Sequence, residues 1–276
     1  MQHAEDQDLE SGRSSDNWKW RDKSLRREKW SKDEIVAFMT LHPDRAYFSR
    51  LFRDGGFRSG IEVGVAGGRF SEHFLTDNVD NRNWTWTMIE PFPNADFQKR
   101  YRGTATKEGS WKTSGIIKHV DLRFFEGKSM DYEVLHSLPA ASYDFIYLDG
   151  DHEYKTVKEE IPVYWEKVAP GGVLAGHDYC NYGEPGSACH GCKHIPQCGV
   201  YTEYGVASGK RKGRVSNQNG VVKAVQEWLM RHPGLTLYHT IENFTESSLR
   251  MDNIDFTLII TGTRNPSWFV IKPQSQ

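Results

Sequence analysis

Apolar residues in this chain fall into short runs that end abruptly in glycine, carboxylate or histidine, and each run gives way to a stretch with helical spacing of apolar positions. Gly60-Ile61-Glu62-Val63-Gly64-Val65 is the first of these. It passes through Ala66-Gly67-Gly68 into Arg69-Phe70-Ser71-Glu72-His73-Phe74-Leu75, the pattern of a buried strand, a tight turn and a helix N-terminus. Residues 84–90, 120–126 and 143–148 repeat the strand pattern, with helices expected over 70–78, 97–101 and about 153–167. After Pro170-Gly171-Gly172 an apolar run reaches His177-Asp178-Tyr179 and reads as a further strand. Strands alternating with helices imply a parallel α/β sheet, whose ligands gather at the carboxyl ends of the strands.

The flanks are less regular. Ser31-Lys32-Asp33-Glu34 has capping-box spacing and opens a helix over 35–39, and Pro43 is placed to begin a second helix that runs to Phe52 and stops at Gly55-Gly56. These helices are as well suited to packing as to covering a ligand. Residues 103–115 read as a polar loop. An amphipathic helix is expected after Asn219, followed by strands over 235–241, 254–261 and 267–272, the last two forming a hairpin. Residues 1–30 are polar and are expected to be a disordered lead-in. Residues 31–276 then form one domain with a cysteine-rich insertion at about 180–215.

With 276 residues the chain is long enough to bury a sizeable core, and its formal charge of −2 gives no reason to expect a nucleic-acid partner. No apolar run is long enough to cross a membrane, and the first residues lack a signal-peptide core. That favours the cytoplasm, whereas the sequons Asn83-Trp84-Thr85 and Asn243-Phe244-Thr245 lean toward the secretory pathway.

The glycine turn narrows the ligand. A dinucleotide fingerprint counted from Gly64 would require glycine where Ala66 and Arg69 stand, so that reading fails. Glu62 within the strand, followed by Gly64, Gly67 and Gly68, resembles instead the first motif of class I S-adenosylmethionine-dependent methyltransferases. The fold implied is Rossmann-like, mostly parallel, with an antiparallel C-terminal hairpin. An acidic turn also suits a cofactor that carries an ammonium and a sulfonium but no phosphate. The resemblance places Glu62 at the methionine end, Glu90 on the ribose hydroxyls and Ser129, in Gly127-Lys128-Ser129, beside the adenine. A helix N-cap explains Ser129 equally well.

Asp149-Gly150-Asp151-His152, a helix, a Pro-Gly-Gly turn and His177-Asp178-Tyr179 extend the resemblance, over about residues 55–180, to O-methyltransferases of sugars and macrolide sugars. By that likeness Asp149 lies beside the cofactor, and Asp149 and Asp178 would hold a divalent cation such as magnesium, with His177 standing where those enzymes often have aspartate. His152 falls at their general base. Methyl transfer to a hydroxyl needs that oxygen partly deprotonated, and either a near-neutral imidazole or a carboxylate-bound cation supplies this. A histidine that only braces the Asp149 loop is the alternative. Outside methyl transfer, another enzyme on the same fold and a non-catalytic binding module both remain open.

Every cysteine lies in the insertion: Cys180, Cys189, Cys192 and Cys198. They could bind a structural zinc ion, form two disulfides or remain thiols. Lys210-Arg211-Lys212-Gly213-Arg214 reads as a solvated loop or as a grip on an anionic acceptor.

Overall fold

Ser31 opens the first helix as its spacing predicts: the Glu34 amide donates to Ser31 Oγ (3.4 Å), and the Ser31 amide donates to Glu34 Oε2 (2.9 Å). A computed structural model describes residues 28–101, 110–111, 120–179, 219–240 and 267–274. In chain order its elements are α1 (Lys32–Leu41), a 3₁₀ turn (Arg45–Tyr47), α2 (Phe48–Asp54), β1 (Ser59–Val63), α3 (Arg69–Asp77), β2 (Trp84–Ile89), α4 (Ala95–Tyr101) and β3 (Ser110–Trp111). Then follow β4 (Val120–Phe125), α5 (Tyr132–Ser137), β5 (Tyr143–Leu148), α6 (Tyr154–Lys167), β6 (Val168–Gly176), α7 (Asn219–Met230), β7 (Leu237–His239) and β8 (Trp268–Ile271). No helix among the described residues is long and apolar enough to cross a membrane.

The strands form one eight-stranded sheet in the order β3-β4-β2-β1-β5-β6-β8-β7. The chain enters at β1 in the middle, winds outward through β2 and β4, and then crosses to β5 and β6 on the other side. This is the doubly wound, Rossmann-like arrangement, with its switch point between β1 and β5. β8 runs antiparallel to both β6 and β7. The antiparallel C-terminal end is as expected. β8 lies between β6 and β7, and the strand expected over residues 254–261, with the hairpin it would form, lies outside the described residues. β3 is a departure: this two-residue strand pairs with β4 inside the stretch read as a loop. Of the second helix, only the part from Phe48 is α-helical, and the segment after Pro43 tightens into the 3₁₀ turn.

Strand residues alternate between two buried layers, as the period of a pleated strand requires. Phe145 and Tyr147 of β5 face an aromatic layer with Phe48, Phe52, Phe74, Trp86 and Phe269, whereas Ile146 and Leu148 face an aliphatic layer with Ile161, Tyr164, Val225 and Trp228. Phe74 stacks on Trp86 with ring centroids 4.2 Å apart. The aromatic layer reaches back to Trp30, which is buried and whose amide donates to the Gly55 carbonyl (3.0 Å). Residues 1–27, the cysteines and the basic run at 210–214 lie outside the described residues.

At the amino ends of the strands, buried Asp144 fastens β5 to the start of β1. Its Oδ2 accepts from the Arg58 amide (2.6 Å) and the Ser59 amide (3.1 Å), and its Oδ1 pairs with Lys29. Removing that acceptor strands two amides, each worth roughly 1–3 kcal/mol when buried and unsatisfied. Asp144→Ala is therefore expected to lower stability in urea denaturation by about 2–4 kcal/mol. Because Asp144 lies at the edge opposite the candidate site, ligand affinity of the folded variant should be unchanged.

Candidate active site at the carboxyl edge of the sheet

Register brings the predicted site residues to one level. Val63 of β1 is opposite Ile89 of β2 and Leu148 of β5, and Leu148 is opposite Gly176 of β6. The next residues, Gly64, Glu90, Asp149 and His177, continue the ladder: the Gly64 amide donates to the Ile89 carbonyl (2.9 Å), Asp149 to Val63 (2.8 Å) and His177 to Leu148 (2.9 Å).

The glycines of the turn differ in what they do. Gly64 has φ +81°, and a Cβ there would lie 2.2 Å from the Asp149 carbonyl oxygen, so only glycine lets the β1 and β5 ends approach this closely. Gly68, with φ +77°, starts α3, and a Cβ would lie 2.4 Å from the Tyr101 ring. Gly67 is under no such constraint: its nearest atom would be 3.6 Å away, leaving room at the turn.

Glu90 closes this turn. Its Oε2 accepts from the Ala66 amide (2.7 Å) and its Oε1 from the Phe92 amide (2.8 Å), so the carboxylate is oriented by backbone before any ligand arrives. Glu62 is placed differently. It is buried under α3, where Ser71 Oγ donates to its Oε2 and Trp86 Nε1 donates to Ser71 Oγ (2.7 Å). Burial holds its carboxyl well above the usual carboxylate range against the Ser71 hydrogen bond, and the charge of Asp149 adds to the effect.

On the β5–β6 side, His152 Nε2 lies 3.2 Å from Asp178 Oδ2. His177 Nδ1 lies 3.2 Å from Asp149 Oδ1 and 3.3 Å from Asp178 Oδ1, while its Nε2 meets the guanidinium of Arg45. Burial alone would lower the pKa of His177, but Asp149 and Asp178 outweigh it and the net shift is upward. Asp149, His152 and Asp178 each offer a ligand atom within 4.8 Å of the others, the one such grouping among the described residues. His177 is not part of that grouping; its Nδ1 faces the two carboxylates and its Nε2 faces Arg45. Asp151, expected at the same edge, instead starts α6: its Oδ1 accepts from the Glu153 amide (3.1 Å) and its Oδ2 from Thr156 Oγ1 (2.8 Å).

Ser129 is not a helix cap; Asp131 holds that position in α5. Its hydroxyl donates to Glu160 of α6, and its carbonyl accepts from the Tyr164 hydroxyl (2.9 Å). The sequence reading missed both Glu160 and Arg45. Glu160 carried a signal, a carboxylate on the buried stripe of Val157, Ile161 and Tyr164. Arg45 carried none, since its partner is 132 residues away.

Residues 61–179 match a family described as a methyltransferase domain. The match takes in the glycine turn, Glu90, the Asp149–His152 stretch and the His177-Asp178 strand end. None of the curated proteins matches significantly. Among solved structures, an O-methyltransferase from Bacillus cereus in complex with SAH is 10% identical, with 87% of this chain and 89% of that chain covered and a TM-score of 0.49. The O-methyltransferase TomG from Streptomyces achromogenes, involved in tomaymycin synthesis and in complex with SAM, is 12% identical over 94% and 100% of the two chains, with a TM-score of 0.48.

Two outcomes follow from this geometry. Gly64→Ala is expected to cost about 3 kcal/mol or more, combining a left-handed backbone with a backbone clash, whereas Gly67→Ala should cost under about 1 kcal/mol; chemical denaturation of both checks this. The second concerns Glu160, whose carboxyl burial pushes from 4.5 up to about 7 against the Ser129 hydrogen bond. The folded state keeps this proton where the unfolded state has lost it, so Glu160 makes stability fall as pH rises from 4.5 to about 7 and imposes a constant penalty above that. Glu160→Gln keeps an acceptor for Ser129 and removes the penalty. Its melting temperature should exceed that of the parent by several degrees at about pH 8 and converge with it toward pH 4.

Proposed function

We propose that this domain transfers the methyl group of S-adenosylmethionine to a hydroxyl of a small molecule, a sugar or glycoside in the first instance. The observation that carries the reading is the pairing of an oriented carboxylate, Glu90, with an imidazole–carboxylate pair, His152 and Asp178, at one sheet edge. The glycine turn offers the cofactor an open backbone at Gly67, Glu90 lies at the ribose, Glu62 lies below the methionine end and Ser129 lies on the adenine side. When bound, the cofactor supplies an electrophilic methyl group on its sulfonium.

His152 acts as the general base. With Nε2 facing Asp178, the proton on that nitrogen is donated to the carboxylate, and Nδ1 is left with its lone pair for the acceptor hydroxyl. Asp178 then stabilises the imidazolium formed when the proton arrives. The side chain is 29% exposed, enough to meet an acceptor entering from solvent.

A cation-assisted reading rests on the grouping of Asp149, His152 and Asp178. Two carboxylate oxygens and one imidazole nitrogen fit a transition metal such as manganese or zinc better than magnesium, which takes oxygen ligands. Asp149 and Asp178 would hold the ion, which would lower the pKa of a bound hydroxyl. The two readings compete for His152. Zinc or disulfides at the four cysteines remain expectations on residues outside those described.

Calorimetry of the full chain with SAH tests the cofactor, and methyl transfer to a panel of free sugars and glycosides tests the chemistry. Glu90→Ala should weaken SAH by about tenfold or more, from loss of charge-assisted hydrogen bonds. His152→Ala should keep SAH affinity within about twofold while lowering turnover about 100-fold or more. A parent enzyme silenced by a chelator and restored by manganese would replace the base reading with the cation reading. Failure to bind SAH at all would remove both.

A further inference from the structure

We propose that Arg45 and His177 are positioning residues that fix Asp178, and through it the His152 imidazole, in one chain running Arg45, His177, Asp178, His152. The consequence for catalysis rests on the reading of His152 as base, but the chain itself rests on geometry.

The argument begins at His177. Its Nε2 meets the Arg45 guanidinium, which has donors and no acceptor, so Nε2 must accept and the ring proton must sit on Nδ1. That nitrogen lies 3.2 Å from Asp149 Oδ1 and 3.3 Å from Asp178 Oδ1, so one N–H is shared between carboxylates from two different strand ends. With the proton on Nε2 instead, the Nδ1 lone pair would face both carboxylates and repel them. Arg45 therefore selects the tautomer that holds the two acids together. The other oxygen of Asp178, Oδ2, lies 3.2 Å from His152 Nε2 and passes the orientation on.

Two further observations fit a held conformation. Asp178 has φ +54°, a left-handed backbone that costs a non-glycine residue roughly 1–3 kcal/mol unless its surroundings impose it. Arg45 is in turn delivered from a rigid base. Asp44 Oδ1 accepts from the Ala46 amide (2.8 Å), and Phe48, Leu51 and Phe52 of the following helix are fully buried. Residue 45 precedes the matched segment 61–179, so the helical region before the domain supplies a charge to its site.

The test is nitrogen-15 NMR of the histidine rings in the full chain, at alkaline pH where the imidazoles are neutral. In the parent, His177 should carry its proton on Nδ1. Arg45→Ala should move that proton to Nε2 and shift the His152 ring signals as well, with SAH affinity within about twofold of the parent. Arg45→Gln, which keeps an N–H donor without charge, should preserve the parent pattern. His177→Asn offers an amide N–H near the Nδ1 position and should make the His152 signals insensitive to Arg45→Ala. A parent His177 protonated on Nε2 overturns the proposal, as does Arg45→Ala leaving both rings unmoved. If Arg45→Ala does not fold, the parent tautomer and the Arg45→Gln pattern decide the matter alone. A normal turnover in His152→Ala together with the expected ring signals would remove the base reading and leave the chain of contacts standing.

Discussion

The parallel pairing that locks β1 between β2 and β5 sets everything at the candidate site. Val63 stands opposite both Ile89 and Leu148, so the first residues beyond three neighbouring strands emerge at one height. A slip of one residue would turn Glu62 from the α3 side of the sheet to the α6 side and take Glu90 out of reach of the Ala66 amide. The aromatic layer resists such a slip, because Phe74, stacked on Trp86 and packed on Phe145, grips β2 and β5 from the same side. Core packing and site geometry are thus one constraint seen from two ends of the strands.

Gathering acids at one edge carries an electrostatic cost that the fold meets in three different ways. Two like charges about 5 Å apart repel by about 3 kcal/mol at an effective dielectric near 20. Glu62 avoids its share by being buried deeply enough to favour the neutral form. Glu90 directs its two carboxylate oxygens at two backbone amides. Asp149 and Asp178 divide the Nδ1–H of His177, and Asp178 also has His152. Only this last arrangement sets carboxylates against imidazoles, which is why the proposed proton transfer is assigned to the β5–β6 side and the proposed cofactor contacts to the β1–β2 side.

Much of this was legible in the residues. Strand ends could be placed because apolar runs stop where the sheet stops, and the capping box at Ser31 and the left-handed turn at Gly64 and Gly68 show locally in the sequence, although the contacts that exclude a side chain there, with Asp149 and Tyr101, do not. The position of β8 between β6 and β7 was not legible, since neither residues 235–241 nor residues 267–272 reveal which neighbours they pair with. Nor was β3, whose two residues are too few to show a period. Glu160 could have been found as a carboxylate on an apolar helix stripe. Arg45 could not: on its own turn it looks like any surface arginine, and only the folded topology sets it against His177.

Backbone strain marks the same division between scaffold and site. Ala66, Asn83, Ala141 and Asp178 are the non-glycine residues with positive φ among those described, and two of them, Ala66 and Asp178, follow the carboxyl ends of β1 and β6. At both the strain is tied to a carboxylate. The Ala66 amide is turned toward Glu90 (2.7 Å), and the Asp178 side chain is turned between the two imidazoles. A relaxed backbone at either point would withdraw the group that orients the acid. The left-handed turns therefore belong with the buried aromatic layer as part of the cost of preorganising the edge, and the rigid base under Arg45 extends that preorganisation beyond the matched domain to a segment with no recognisable site motif of its own.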